Sequence, residues 1–404
     1  MQLPLPTREE ASGLLHSYFL TVNRLLPIYD KEQYLTLVES QYTGARCNSA
    51  ILWASFNGVF ALGAAYGSGS LSEHYPMSRT YFQRAASVLN QLMLSRPTIL
   101  GIQTLLTMAV FLLNYRDHHS AGFLVSTAMR SCQSLGLHAR SCVRDALSDI
   151  RDSEQRVFWV AFVLDQSIAP SVGAMPAQNS NDMVVDLPSM EKEQPMEQPS
   201  DEQRQTQHFR QMCELALIRC RVFHQLYSET ALQKAPSETY HNIRELNRGL
   251  ALWKKQNPFL CSHEHGASEN IFAITQRLSY CNCLILVNQR YLFCNSIPSI
   301  GLEQLELVVE LCTEAAWDSI EMIDAAASTR VDYIGVLADY MLSAARTLSN
   351  LVLYRSRDVE VERYQRLLEI AYEHIQIYSG ARFSVFPVIY SHLTAVLLRL
   401  ARSM

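Results

Sequence analysis

The chain has 404 residues, 48% of them apolar and 18% charged, with a net charge of −5. That length and apolar content support a large buried core, in one big helical domain or two lobes, and exclude an intrinsically disordered chain. The acidic balance argues against a nucleic-acid module, which carries a basic excess to displace counterions from phosphates.

Helical periodicity begins at once. Thr7 and Glu10 have capping-box spacing, in which each side chain satisfies an otherwise orphan backbone N–H. Behind them Ala11, Leu14, Leu15, Tyr18, Phe19 and Val22 form one apolar stripe, and Pro27 ends the helix. Asp30 with Gln33 opens a shorter helix through Leu35 and Val38. Residues 50–65 are apolar on nearly all faces, which predicts a helix packed on every side. A Gly/Ser loop then leads to Ser78, read as the cap of a helix carrying Tyr81, Phe82, Ala85, Leu89 and Leu92. Another helix follows Pro97. A further one follows Asp117-His118-His119 and closes at Gly136, a residue that takes the left-handed conformation without steric cost.

Two charge-free stretches, 47–72 and 97–115, raise the question of a membrane. Asn48, Asn57 and the run YGSGS interrupt the first, and Gln103 and Asn114 the second. A span needs about 20 predominantly apolar residues. Both stretches are read as buried core helices, with no membrane partner.

Asp152 with Gln155 reads as a cap. The helix behind it buries Val157, Val160, Ala161, Leu164 and Ile168, with Trp159 and Phe162 flanking, and Pro170 stops it. From 171 to 188 the chain is irregular, with an extended piece at 183–187. Residues 189–207 are Glu/Gln/Pro-rich with almost no apolar side chains, and cannot bury enough surface to offset their ordering entropy. They are expected to form a solvated loop between two halves.

The second half is helical too. Phe209, Met212, Cys213, Ala216, Phe223, Leu226 and Tyr227 make one stripe, and Ile243, Leu246, Leu250 and Trp253 another before Asn257-Pro258. Further helices are expected around 279–293, 303–326, 336–354, 360–379 and 388–401. With no run of alternating β-branched residues and no fixed-period repeat, the fold class is all-α: a large helical bundle, two halves joined by the Glu/Gln/Pro-rich loop.

Few side chains gather as chemistry would require. Asp145, Asp149 and Asp152 stand at i, i+4 and i+7, so one helical face could present three carboxylates. An all-α biosynthetic enzyme holding magnesium there is the alternative reading, but no Asp-Asp pair or Asn/Ser/Glu cluster supplies converging ligands. Cys261, His263, Glu264 and His265 are dense in ligand types, yet no second Cys/His pair is spaced to close a tetrahedral site. The ten cysteines sit in apolar helical patterns and are read as reduced core thiols; Cys281 and Cys283, two apart on a helix, point to different faces. No Gly-rich phosphate loop, G-x-S-x-G or H-E-x-x-H occurs. The residues point to no catalytic group, no metal and no cofactor. The only adjacent lysines, Lys254-Lys255, make no import signal.

The stretch 126–188 is the most diagnostic. It carries Leu135, Gly136, Leu137 and His138; then Arg156, Phe158, Trp159, Leu164 and Asp165; then Gly173, Pro176, Asp182, Val185, Leu187 and Pro188. In this order and spacing it resembles the middle homology region of fungal binuclear zinc-cluster transcription factors, the fungal-specific transcription factor domain. The N-terminal LPTREEASGLLHSYFLTVNRLLPIYDKEQY and the later LNRGLALWKKQNP and LCTEAAWDSIEMID look like its other helices, so the resemblance covers nearly all of 1–404. Two departures stand out. Ala174 replaces the Arg expected after Gly173, and Pro176 falls one place late. The family's six-cysteine zinc cluster and basic arm are not found; the first cysteine, Cys47, stands alone.

The resemblance implies a regulatory domain in a nuclear transcription regulator, such as one serving a secondary-metabolite gene cluster. Its motif residues are structural, and a small-molecule effector is possible. DNA contact would come from a partner or from a zinc cluster upstream of Met1. The expected partner is a zinc-cluster transcription factor or a second copy of the chain, with no sequence-specific DNA binding by the chain alone.

Overall fold

The computed structural model describes residues 5–43, 49–67, 75–139, 148–189, 200–261, 271–292, 302–328, 340, 343–350 and 366–371. Among them every regular element is a helix, so the fold is all-α. The chain forms two compact units, Met1–Ala216 and Leu217–Met404.

The first unit opens with α1 (Arg8–Leu20), α2 (Val22–Leu25) and α3 (Lys31–Tyr42). The capping box forms: the Thr7 N–H donates to Glu10 Oε2 at 2.9 Å, and the Glu10 N–H to Thr7 Oγ1 at 3.3 Å. Asp30 caps α3 by accepting from the Gln33 N–H at 3.0 Å. Next come α4 (Ala50–Ala65), α5 (Tyr75–Ala86), α6 (Leu89–Leu94) and α7 (Ile99–Asn114). Helix α4 is the hub, packed against α1, α5 and α7, which explains its all-round apolar sequence. At its C-terminal end Gly63 meets the Leu14 backbone of α1, where a Cβ would overlap the Leu14 carbonyl.

A polar seam fixes the register of this core. The Tyr29 and Tyr34 hydroxyls both meet Ser55 Oγ, at 3.0 and 2.9 Å, and Thr107 donates to Tyr29 Oη at 3.2 Å. Gln103 Nε2 donates to the Ile28 carbonyl at 2.7 Å. Burial pushes the pKa of both tyrosines up, so both hydroxyls stay neutral. Ser78 departs from expectation. It is no cap but lies inside α5, fully buried, its hydroxyl 2.8 Å from Tyr115 Oη. The helix starts earlier because Pro76 suits a first turn, its missing N–H being an orphan there anyway.

Helices α8 (His118–Ser134), α9 (Ser148–Val172) and α10 (Asp201–Val222) complete the unit. Asp152 likewise lies within α9, downstream of the helix start at Ser148. Pro170 forfeits one ladder bond but does not stop α9, which runs on to Val172 and closes at Gly173. The loop expected over 189–207 is corrected at its C-terminal end: 190–199 lie outside the described residues, but 201–207 are the first turns of α10. Composition is overruled there by specific bonds. Ser200 and Gln203 make a second reciprocal cap, at 2.8 and 3.2 Å. The Arg24 guanidinium bonds Asp201 at 2.5 Å, and Gln205 Nε2 donates to the Asn23 carbonyl at 2.9 Å.

The boundary between the units falls within α10. In the second unit a π-turn, Phe223–Tyr227, ends that helix. Then follow α11 (Glu229–Leu232), α12 (Pro236–Gln256), α13 (Pro258–Cys261), α14 (Ile271–Leu292) and α15 (Leu302–Ser328). Helix α14 packs on α12 and α15, and the stripe Ile243, Leu246, Leu250, Trp253 is buried. Of the later helices expected from periodicity, 343–350 and 366–371 are described and helical; the segment 388–401 lies outside the described residues.

Candidate functional site

The motif residues of 126–188 come together in the first unit, where α8 and α9 pack side by side under an irregular strap, 173–188. Each helix meets the strap through a glycine. At the end of α8 the Leu137 N–H donates to the Cys132 carbonyl at 3.0 Å and the Gly136 N–H to Gln133 at 3.0 Å. These are the two bonds of a Schellman turn, and Gly136 takes the left-handed φ of +74° that the turn demands. Leu-Gly-Leu is thus a helix stop, with Leu135 half exposed at the cap. Gly173, at φ +64°, closes α9 in the same way, the Ala174 N–H reaching the Ala169 carbonyl at 3.0 Å.

Among the described residues the strap pairs with no strand, so most of its backbone polar groups need side-chain partners. Motif residues and polar side chains of α8, α9 and α10 supply them. Asp165 is 4% exposed, and its carboxylate accepts from the Ala177 N–H at 3.0 Å and the Gln178 N–H at 3.2 Å. Gln166 Nε2 donates to the Gln178 carbonyl at 2.9 Å, and Gln133 Nε2 to the Gln178 side chain at 2.7 Å. Pro176, just before these amides, has no N–H to satisfy. The His138 carbonyl accepts from the Val184 N–H at 2.8 Å, while its ring Nδ1 is sealed without a partner. Trp159 Nε1 donates to the Asp186 carbonyl at 2.9 Å, and Arg210 to the Pro188 carbonyl at 2.9 Å. Asp182 closes a 3-10 turn, Ser180–Asp182, and its carbonyl accepts from Gln178 Nε2 at 3.3 Å. Leu187 and Pro188 are half-buried at the strap's end.

Beneath the strap Phe158, Trp159 and Phe162 are fully buried and pack edge-to-face and offset, with centroids 5.6 to 6.3 Å apart. Arg156 lies 3.7 Å from Asp30, tying α9 to the cap of α3; burial draws its pKa down despite that partner. Burial also raises the Asp165 pKa to about 6, although the Ala177 and Gln178 amides pull the other way. Three strap-holding side chains were not singled out in the sequence, Gln133, Gln166 and Arg210. The only signal for the glutamines was polarity on otherwise apolar helices.

The other candidates lie partly outside the described residues. Asp145 lies outside the described residues, Asp149 belongs to the first turn of α9, and Asp152 is exposed. His263, Glu264 and His265 also lie outside the described residues; Cys261 is exposed, its thiol against the Lys255 carbonyl at 3.2 Å. Cys281 and Cys283 are buried on α14, their thiols pushed up to about 12 and about 11 by burial. Among the described residues no three His, Cys, Asp or Glu side chains gather as a metal site, and no helix is long and apolar enough to cross a membrane.

The chain is 28% identical over 392 residues to an ABC-transporter-regulating transcription factor of Aspergillus oryzae, covering 91% of this chain and 44% of that protein. The like-named protein of Aspergillus fumigatus matches to the same extent. The fusaridione A cluster transcription factor of Fusarium heterosporum is 22% identical over 294 residues, 71% of this chain and 55% of that one. The chain therefore spans about half the length of these curated relatives. The model of the fungal specific transcription factor domain matches residues 15–255, a span that holds the strap and every motif residue beneath it, and the chain belongs to that family.

Proposed function

We propose that the chain is the regulatory part of a transcription regulator that acts in the nucleus and controls a co-regulated gene set, such as a secondary-metabolite cluster. The observation that carries this reading is the family match across the strap and its helices, 15–255. A scaffold role is supported by the motif side chains Asp165 and Trp159, which hold backbone groups of the strap. In this reading the Asp145/Asp149/Asp152 enzyme alternative is set aside, because the family's named members regulate transcription.

The mechanism follows from the strap. Its hold on α8 and α9 depends on a few polar bonds, so a partner or small-molecule effector that changes them would change the surface offered to other proteins. DNA contact is assigned to a partner or segment outside these 404 residues, a reading supported by the net charge of −5, which is the reverse of the basic excess of a nucleic-acid module. The partner is a zinc-cluster transcription factor or a second copy of this chain. Chromatin immunoprecipitation of the tagged chain tests this. Enrichment at discrete promoters is expected, while the purified chain alone retains no promoter DNA at physiological salt. Uniform background across the genome would contradict it.

A further inference from the structure

A cleft of about 250 Å³ opens between α8 and α9 beside the strap. Phe123 and Met175 stand at its rim, 60% and 72% exposed, an unusual state for two large apolar side chains placed together. Ile168, Val172 and the buried Asp165 line it from α9, and Gly122 and Ser126 from α8. The volume is below the range of about 300–1,000 Å³ taken by drug-sized ligands, so it suits a single ring with a short chain.

Asp165 is the one acidic side chain in the lining of this cleft. Of the lining side chains only Asp165 and His119 ionise. The Asp165 side chain is more than nine-tenths buried, and among the described residues its Oδ1 takes a single hydrogen bond, from Ala177, where a carboxylate oxygen can accept two. Its pKa of about 6 means that the Ala177 and Gln178 N–H donors do not offset the loss of water. A cation arriving from the cleft would supply what is lacking, through a charge-assisted hydrogen bond.

We propose that the α8–α9 cleft binds a small lipophilic amine, its ammonium group on the Asp165 carboxylate and its hydrocarbon between Phe123, Ile168, Val172 and Met175. This gives a chemical class and a place to the effector in the functional reading above. It is measured as binding, so it stands or falls separately from any transcriptional readout.

The test is calorimetric titration of the full 404-residue chain with 2-phenylethylamine and with two near-isosteres, neutral 2-phenylethanol and anionic phenylacetate. The amine is expected to bind at least tenfold more tightly than the alcohol, and the acid not at all. Asp165→Asn should erase the preference for the amine. Because that change also touches the strap, Ser126→Trp is the second variant: it fills the cleft from an exposed position and should abolish binding with the melting temperature unchanged. No binding of the amine, equal affinity for amine and alcohol, or full binding by the folded Ser126→Trp variant would each overturn the proposal.

Discussion

Trp159 Nε1 donates to the main-chain carbonyl of Asp186 at 2.9 Å, joining the middle of α9 to the far end of the strap across 27 residues of sequence. The indole is 1% exposed, so its N–H has to find a protein partner, and a carbonyl of the strap is the one it finds. The aromatic core and the strap are therefore one unit of packing and hydrogen bonding.

Replacing Trp159 with Phe keeps a ring in the core and deletes this bond. A loss of about 1–3 kcal/mol is expected for leaving a polar group unsatisfied, together with faster amide exchange at Val184, whose N–H is held by His138 in the same strap. Denaturant titration and hydrogen exchange by mass spectrometry read the two effects. Unchanged exchange across the strap would mean that the indole does not hold it.

Two glycines separate conformational from steric cost. At Gly136 a Cβ would meet nothing within 4 Å, so Gly136→Ala carries only the penalty of a left-handed φ, about 1 kcal/mol. At Gly63 the backbone is ordinary helix, but the added methyl runs into the Leu14 carbonyl of α1. Gly63→Ala should cost about 3 kcal/mol or more, because two packed helices must part. Equal melting temperatures for the two variants would contradict this account of the α1–α4 crossing.

Acid titration should reveal two buried groups with opposite slopes. Asp165 rises from 3.8 to about 6, chiefly by burial. The folded chain then holds a proton that the unfolded chain releases, so this contribution is full below pH 4 and is lost as pH rises through 6, roughly 3 kcal/mol in all. His208, also buried, falls from 6.5 to about 3. Its contribution is full above pH 6.5 and is lost as pH falls toward 3, roughly 5 kcal/mol. Stability measured from pH 7 to 4 should therefore drop less in His208→Gln than in the unmodified chain, and more in Asp165→Asn. Parallel curves for all three proteins would rule the assignment out.

Local signals in the sequence were legible wherever a single element decides the outcome. The Thr7–Glu10 box, the Asp30 cap, the all-round apolar α4 and the Gly136 stop each depend on neighbours a few residues away, and each forms as read. Asp165 was legible only as a motif position. Its actual work, holding the Ala177 and Gln178 amides, depends on the fold of the strap, which periodicity cannot describe. Ser78 and Asp152 failed as caps because a cap residue looks the same inside a helix as before it. Residues 201–207 look solvated by composition and are helical because Ser200, Asp201 and Gln205 find specific partners.

Transcript profiling of a strain lacking the gene tests most directly the proposal that this helical domain regulates transcription. A coordinated, several-fold change in a discrete gene set is expected, restored by the unmodified chain and not by Trp159→Ala. Transcripts unchanged by the deletion under every growth condition would contradict it.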